Sequence, residues 1–249
     1  MWLNHKMTSS RRVTCGILFN REKIHMQKTF KILRQGNIEA LKEILDKNPD
    51  EIKAVAKQPP KKDDGQSLLQ VAFKTGQYEI ANLLLDYKAD VNFMESEENC
   101  CNRWRAPVLH DSIRCAMFSS RTNRKKWGAT EYETLSNKEN ADSAYNLLKR
   151  MLELGADINA KDSFGNTVLD RTILDAKQLL PSYNFSTGEV SDDRLITDEL
   201  RYDFSRIFKL LYEYGADNNW VDRNTGKTLL ERYKGHPVSE FLQLGNKQR

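Results

Sequence analysis

Residues 64–92 read DGQSLLQVAFKTGQYEIANLLLDYKADVN, and the fold is decided there. Asp64-Gly65 is a turn pair. After it, Leu68, Leu69, Val71 and Ala72 spell a short apolar helix that Thr75-Gly76 stops. A second helix follows, with Ile80, Leu83, Leu84 and Leu85 on one face. Ala89-Asp90-Val91-Asn92 closes the stretch. The closing pattern recurs as Gly155-Ala156-Asp157-Ile158-Asn159 and as Gly215-Ala216-Asp217-Asn218-Asn219. Self-similarity of this kind marks a repeat architecture.

Upstream, Phe30, Ile32 and Leu33 precede a Gly36-Asn37 break, and Ile38, Leu41, Ile44 and Leu45 then recur at the spacing of one helix face. Asn48-Pro49 ends that helix, because proline disfavours helical geometry in the residue before it. Pro59-Pro60-Lys61-Lys62 is a polar, extended finger. Downstream, a third unit opens near Trp104 with Pro107-Val108-Leu109-His110-Asp111-Ser112. A fourth opens with Asp162-Ser163-Phe164-Gly165-Asn166-Thr167-Val168-Leu169. A truncated fifth carries Thr228-Leu229-Leu230, then Val238, Phe241 and Leu242.

These stretches resemble the ankyrin repeat. Pro107 to Ser112 falls on the family's Thr-Pro-Leu-His-x-Ala signature, with Leu109 and His110 in the Leu-His places. Pro107 stands where Thr is usual and Ser112 where Ala is usual, and Ser67-Leu68-Leu69-Gln70-Val71-Ala72 aligns on the same places. The resemblance implies an all-α fold: an ankyrin-repeat solenoid of stacked helix-turn-helix units, with short β-turn fingers and two long inserted loops. It covers about five divergent repeats, near 26–60, 63–94, 104–160, 162–220 and 222–245, with insertions near 118–140 and 177–201. Asp90, Asp157 and Asp217 stand 67 and 60 residues apart, each exceeding the family period of about 33 residues by close to the insertion in that unit. The repeat domain spans 26–245, residues 1–25 are a tail or a capping segment, and 246–249 are a C-terminal tail.

Each unit is too small to bury its own apolar faces, so stability comes from stacking on neighbours. Ser67, Thr167 and Thr228 precede first helices, where a hydroxyl can satisfy free backbone N–H groups. Gly155 and Gly215 fall where second helices stop. In the second unit Lys88 or Ala89 holds that place, which predicts a weaker terminus there.

The totals narrow the function class. The 249 residues carry a net charge of +4, which permits an acidic partner without demanding nucleic acid. Cys15, Cys100, Cys101 and Cys115 show no spaced framework, so reduced thiols and a cytoplasmic location, in the producing cell or a host cell, are expected. No run reaches the length of a membrane span.

Signals that look like chemistry have plainer explanations. Thr225-Gly226-Lys227-Thr228 invites a phosphate-loop reading, yet Val221 stands where the motif needs glycine. The same residues align with Gly65-Gln66-Ser67 as a repeat turn. Cys100, Cys101, His110 and Cys115 lack paired zinc-ligand spacing, and the family uses the His110 position for turn-to-turn hydrogen bonding. No catalytic residue, metal or cofactor is expected.

The resemblance implies a non-catalytic protein–protein interaction module that binds a partner protein and modulates or inhibits it. A microbial or viral inhibitor, immunity factor or effector would fit. The family holds partners on its fingers and concave inner-helix face. On this chain those places are Val71, Lys74, Asp111, Arg114, Arg171 and Leu174 on inner helices, and Phe93, Lys161, Ser163, Trp220 and Arg223 on fingers. The first insertion adds Arg103, Trp104, Arg105, Arg114, Arg121, Arg124, Lys125, Lys126 and Trp127 against one acid, Asp111. Arginine and tryptophan are frequent interface anchors, so an acidic partner surface is expected. The alternative is a nucleic-acid-associated protein binding through 103–126. The second insertion is acid-rich, with Glu189, Asp192, Asp193, Asp198, Glu199 and Asp203. The two insertions can therefore be solvated loops, a binding surface, or partners of each other.

Overall fold

The computed structural model of the protein describes residues 28–58, 60–218, 221 and 225–248. The tail 1–25 and the finger candidates Trp220 and Arg223 lie outside them. The described chain is mostly helical. Helix α1 covers 28–34 and α2 is Ile38–Lys47. Next come α3 (Leu68–Lys74) with α4 (Tyr78–Asp86), and α5 (Val108–Ser119) with α6 (Lys138–Glu153). The last pairs are α7 (Val168–Leu179) with α8 (Asp198–Glu213), and the short α9 (Leu229–Arg232) with α10 (Ser239–Leu242).

Six of the described helices start where a side chain supplies an acceptor, whereas α4, α5 and α10 start without one. Ser67, Thr167 and Thr228 each form a capping box with Gln70, Asp170 and Glu231. Asn37, Asn137 and Thr197 cap α2, α6 and α8 through a side-chain oxygen. A cap of this kind contributes about 1 kcal/mol. At the other ends Gly155 and Gly215 turn the chain with φ of +91° and +89°. In the second pair Lys88 takes that conformation, with φ +61°.

Two layers result. First helices pack in succession, α3 on α5 and α5 on α7, and second helices likewise, α4 on α6 and α6 on α8. Leucines and isoleucines between the layers are fully buried, among them Leu68, Leu84, Leu109, Leu148, Ile173 and Leu211. Single β-bridges, Val55 to Ser67, Met94 to Pro107 and Val221 to Thr228, tie the extended connections that precede α3, α5 and α9. At the C-terminal end Phe204 and Phe208 pack on Phe241 with ring centroids 5.4 and 5.6 Å apart.

The insertions differ from the expected loops. Each is a hairpin between lengthened helices: α5 and α7 run 12 residues against 7 in α3, and α6 and α8 run 16 against 9 in α4. Strands β1 (Asn123–Lys125) and β2 (Tyr132–Thr134) pair in the first, β3 (Tyr183–Asn184) and β4 (Glu189–Val190) in the second. Strands of two or three residues are too short to show an alternating pattern in sequence.

The hairpins are not independent. Asn123 accepts from Leu195 N at 2.7 Å and donates to Leu195 O at 2.9 Å. Lys125 N donates to Asp193 O, and Tyr132 Oη to Asp192 O. The basic and acidic insertions thus form one braced lobe. The β3–β4 segment also sets Tyr183 and Phe185 against His236.

Candidate functional site

Lys74 of α3 and Asp111 and Arg114 of α5 come to one face of the first helices. Between α3 and α5 this face forms a groove of about 480 Å³ lined by Phe73, Lys74, Trp104, Asp111, Arg114, Cys115 and Phe118. Lys74, Trp104, Asp111 and Arg114 are the residues that the sequence pointed to. Phe73, Cys115 and Phe118 were missed. Phe118 lies one turn beyond Arg114, and the reading of 118 onward as an insertion stopped the helix too early.

Trp104 is fixed from two sides. Its indole N–H donates to Asp162 Oδ2 at 2.9 Å, and the Arg171 guanidinium lies 5.0 Å from the ring centroid. Asp162 in turn accepts from the backbone of Phe164 and Asn166 at 2.9 Å, which anchors the wall to the turn before α7. An aromatic ring held this way loses little entropy when a partner covers it. Arg114 is the most accessible cation of the groove, its side chain 43 % exposed and its guanidinium 5.2 Å from the Phe118 ring. Behind it Asp175, fully buried, sits 3.8 Å from both Arg114 and Arg171. Burial pushes the Asp175 carboxyl above its ordinary range, and the two arginines pull against that shift.

Lys74 contributes its stem more than its charge. Its ammonium turns away to Lys62 O and Gln66 Oε1, both at 2.8 Å, and to Asp63 at 3.4 Å, and burial lowers its pKa. Asp111 on the floor accepts from Gln70 Nε2 at 3.0 Å. Desolvation, then the nearby Glu95 carboxylate, pushes its pKa up to about 7. Val71, named with these residues from sequence, is buried in the core, while Leu174 stays 38 % exposed.

The rest of the predicted basic stretch is placed elsewhere and is largely spoken for. Arg121 binds Asp203 through two bonds of 2.9 Å, with Asp203 buried. Arg124 pairs with Glu133 at 3.0 Å and Lys126 with Glu131 at 3.6 Å, both within the first hairpin, and Lys125 pairs with Asp192 of the second. Arg105 pairs with Glu97. Phosphate neutralisation needs unpaired cations along a face, and this lobe answers its arginines and lysines internally. Trp127, at the turn between β1 and β2, is fully exposed and apart from the groove.

On the fingers, Ser163 is occupied: its hydroxyl accepts from Arg105 N and donates to Arg103 O, both at 3.0 Å. Its neighbour Phe164 is the exposed aromatic there, at 68 %. Phe93 is half-buried and, with Ile52, Leu69 and Lys88, lines a second cleft of about 360 Å³.

The chemical signals resolve into structure. His110 is buried, its Nε2–H donates to Ala160 O at 3.3 Å, and desolvation holds it neutral with a pKa of about 4. Cys115 is pushed up to about 12 by burial, which suppresses thiolate chemistry. Thr228 of the apparent phosphate loop caps the four-residue α9. Among the described residues no three His, Cys, Asp or Glu side chains converge as metal ligands, and no helix is long and apolar enough to cross a membrane.

Comparison with known proteins adds one positive finding. The family model described as the ankyrin repeat matches residues 64–95. A search of curated proteins finds no significant match. Those residues hold α3 and α4 with their flanking turns, so α3, which forms one wall of the groove, lies within the matched ankyrin repeat.

Proposed function

We propose that this chain is a non-catalytic binding protein whose residues 26–245 form an ankyrin-type solenoid of about five units. It holds one partner protein in the groove between α3 and α5 and thereby inhibits or redirects it. The observation that carries the reading is the fixed Trp104 wall beside accessible Arg114 and Phe118. Aromatic rings with an exposed arginine make a preformed anchor site for an acidic segment that also carries an apolar side chain. Service as an inhibitor, immunity factor or delivered effector in a cytoplasm fits an array that gives two of its units to insertions. No cofactor takes part.

The test is capture of partners from cytoplasmic extract of the native host, with and without nuclease, by the natural chain and by an Arg114→Glu/Phe118→Ala variant. One protein retained at near-equal stoichiometry after nuclease, and lost by the variant, is the expected result. Retention by the variant moves the site away from the groove. Loss of all partners on nuclease treatment returns the nucleic-acid reading.

A further inference from the structure

The groove floor carries an arrangement that partner capture by itself does not require. Asp111 and Glu95 are both buried, at 5 % and 6 % exposure, and the backbone of Ala106 together with the Gln70 carboxamide links them. Ala106 N donates to Glu95 Oε2 at 2.8 Å, while Gln70 Nε2 donates both to Ala106 O at 3.1 Å and to Asp111 Oδ2 at 3.0 Å. Glu95 also accepts from Gln66 Nε2 at 3.1 Å. Glu95 is thus held by two donors and Asp111 by one, which leaves the Asp111 carboxylate with less hydrogen-bond support.

The charged groups around Asp111 are few. Glu95 faces it from the connection before α5, Lys74 from α3 and Arg114 from α5 itself. Arg34 and Asp63 stand behind Lys74, and Arg171 and Asp175 stand on α7 beside Arg114. Asp111 is the acid of the groove lining, one helical turn from the accessible Arg114.

We propose that Asp111 is the specificity-determining residue of the groove, admitting a carboxylate-bearing segment to Arg114 when protonated and repelling it when ionised. The proposal rests on the reading of the groove as the partner site. Raising its pKa to about 7 places the change at neutral pH. The neighbouring His110 and Cys115, near 4 and 12, do not titrate in that window.

The sign is fixed by charge. From pH 8 to pH 6 Asp111 gains a proton and the floor loses a negative charge, while a ligand glutamate, with an ordinary pKa of about 4.3, stays ionised. Binding of an acidic segment therefore tightens as pH falls, by about tenfold for a charge a few ångströms away in a partly buried site.

The experiment uses the full chain and two fluorescein-labelled peptides, one alternating glutamate and leucine, the other glutamine and leucine. Tighter binding of the glutamate peptide at pH 6 than at pH 8 is expected, with Asp111→Asn held at the pH 6 affinity throughout and the glutamine peptide indifferent to pH. Equal glutamate-peptide affinity at both values overturns the proposal. Failure of the glutamate peptide to bind at any pH counts against the groove as the site. Carboxyl carbon-13 titration of Asp111 in the unliganded chain then decides separately, since a midpoint in the ordinary carboxylate range overturns the role given to Asp111 whatever the groove binds.

Discussion

At the scale of single residues, Lys88 is the clearest departure. It adopts the left-handed conformation that glycine supplies at Gly155 and Gly215. A side chain in that region costs on the order of 1 kcal/mol because Cβ crowds the following carbonyl. Lys88→Gly is expected to stabilise the chain by roughly that amount, less the added freedom of glycine in the unfolded state, read as a rise in the denaturation midpoint. The sequence marked Lys88 or Ala89 as the odd terminus, because the position was set by its equivalents in other units. Other residue-level facts were illegible for a physical reason. Trp104 is anchored by Asp162, 58 residues away, and no local pattern encodes which distant carboxylate an indole will reach. Lys74 is similar: its place on the inner face was readable from helical spacing, but the turning of its ammonium toward Lys62 O was not.

At the scale of elements, the paired helices were legible because their apolar residues repeat with the helical period and several of them, α3, α7 and α9 among them, open on a hydroxyl cap. The hairpins of the insertions were not, since strands this short carry no period. Charge was nevertheless a usable signal, one insertion being basic and the other acidic, and pairing between them was among the readings left open. The pairing has unequal parts. Arg121 meets a buried carboxylate with side-chain exposures of 18 % and 1 %, whereas Arg124 and Glu133 are exposed at 59 % and 38 %. Breaking a buried pair leaves an uncompensated charge and costs about 3–5 kcal/mol. With Arg206 still 3.3 Å from Asp203, the carboxylate keeps one partner, and Arg121→Ala is expected to fall just below that range, at about 2–3 kcal/mol. Arg124→Ala and Lys126→Ala should each change stability by less than about 1 kcal/mol. Chemical denaturation of the three variants checks the contrast, and equal effects would refute a lobe held by Arg121.

At the scale of the whole molecule, the proposed solenoid would have each helix pair depend on its neighbours, so stability should vary along the chain rather than rise and fall as one. The C-terminal end depends on Phe241 beneath Phe204 and Phe208, all three fully buried. Phe241→Ala is expected to cost about 3–5 kcal/mol. Amide exchange should accelerate in α8 and α10 while α3 and α4 keep their protection. Uniform acceleration across all helices would show instead that the chain opens as a single unit.

The braced lobe changes what can be exchanged between proteins of this architecture. Arrays of short units are ordinarily open to shuffling, one unit gained or lost at a time. Here residues 104–160 carry Arg121 and Asn123, while their counterparts Asp203 and Leu195 belong to residues 162–220. A graft of either segment alone would transplant half of a lock, with a charge or a polar clamp left facing nothing. The two segments are therefore expected to function in a graft only when they are moved together.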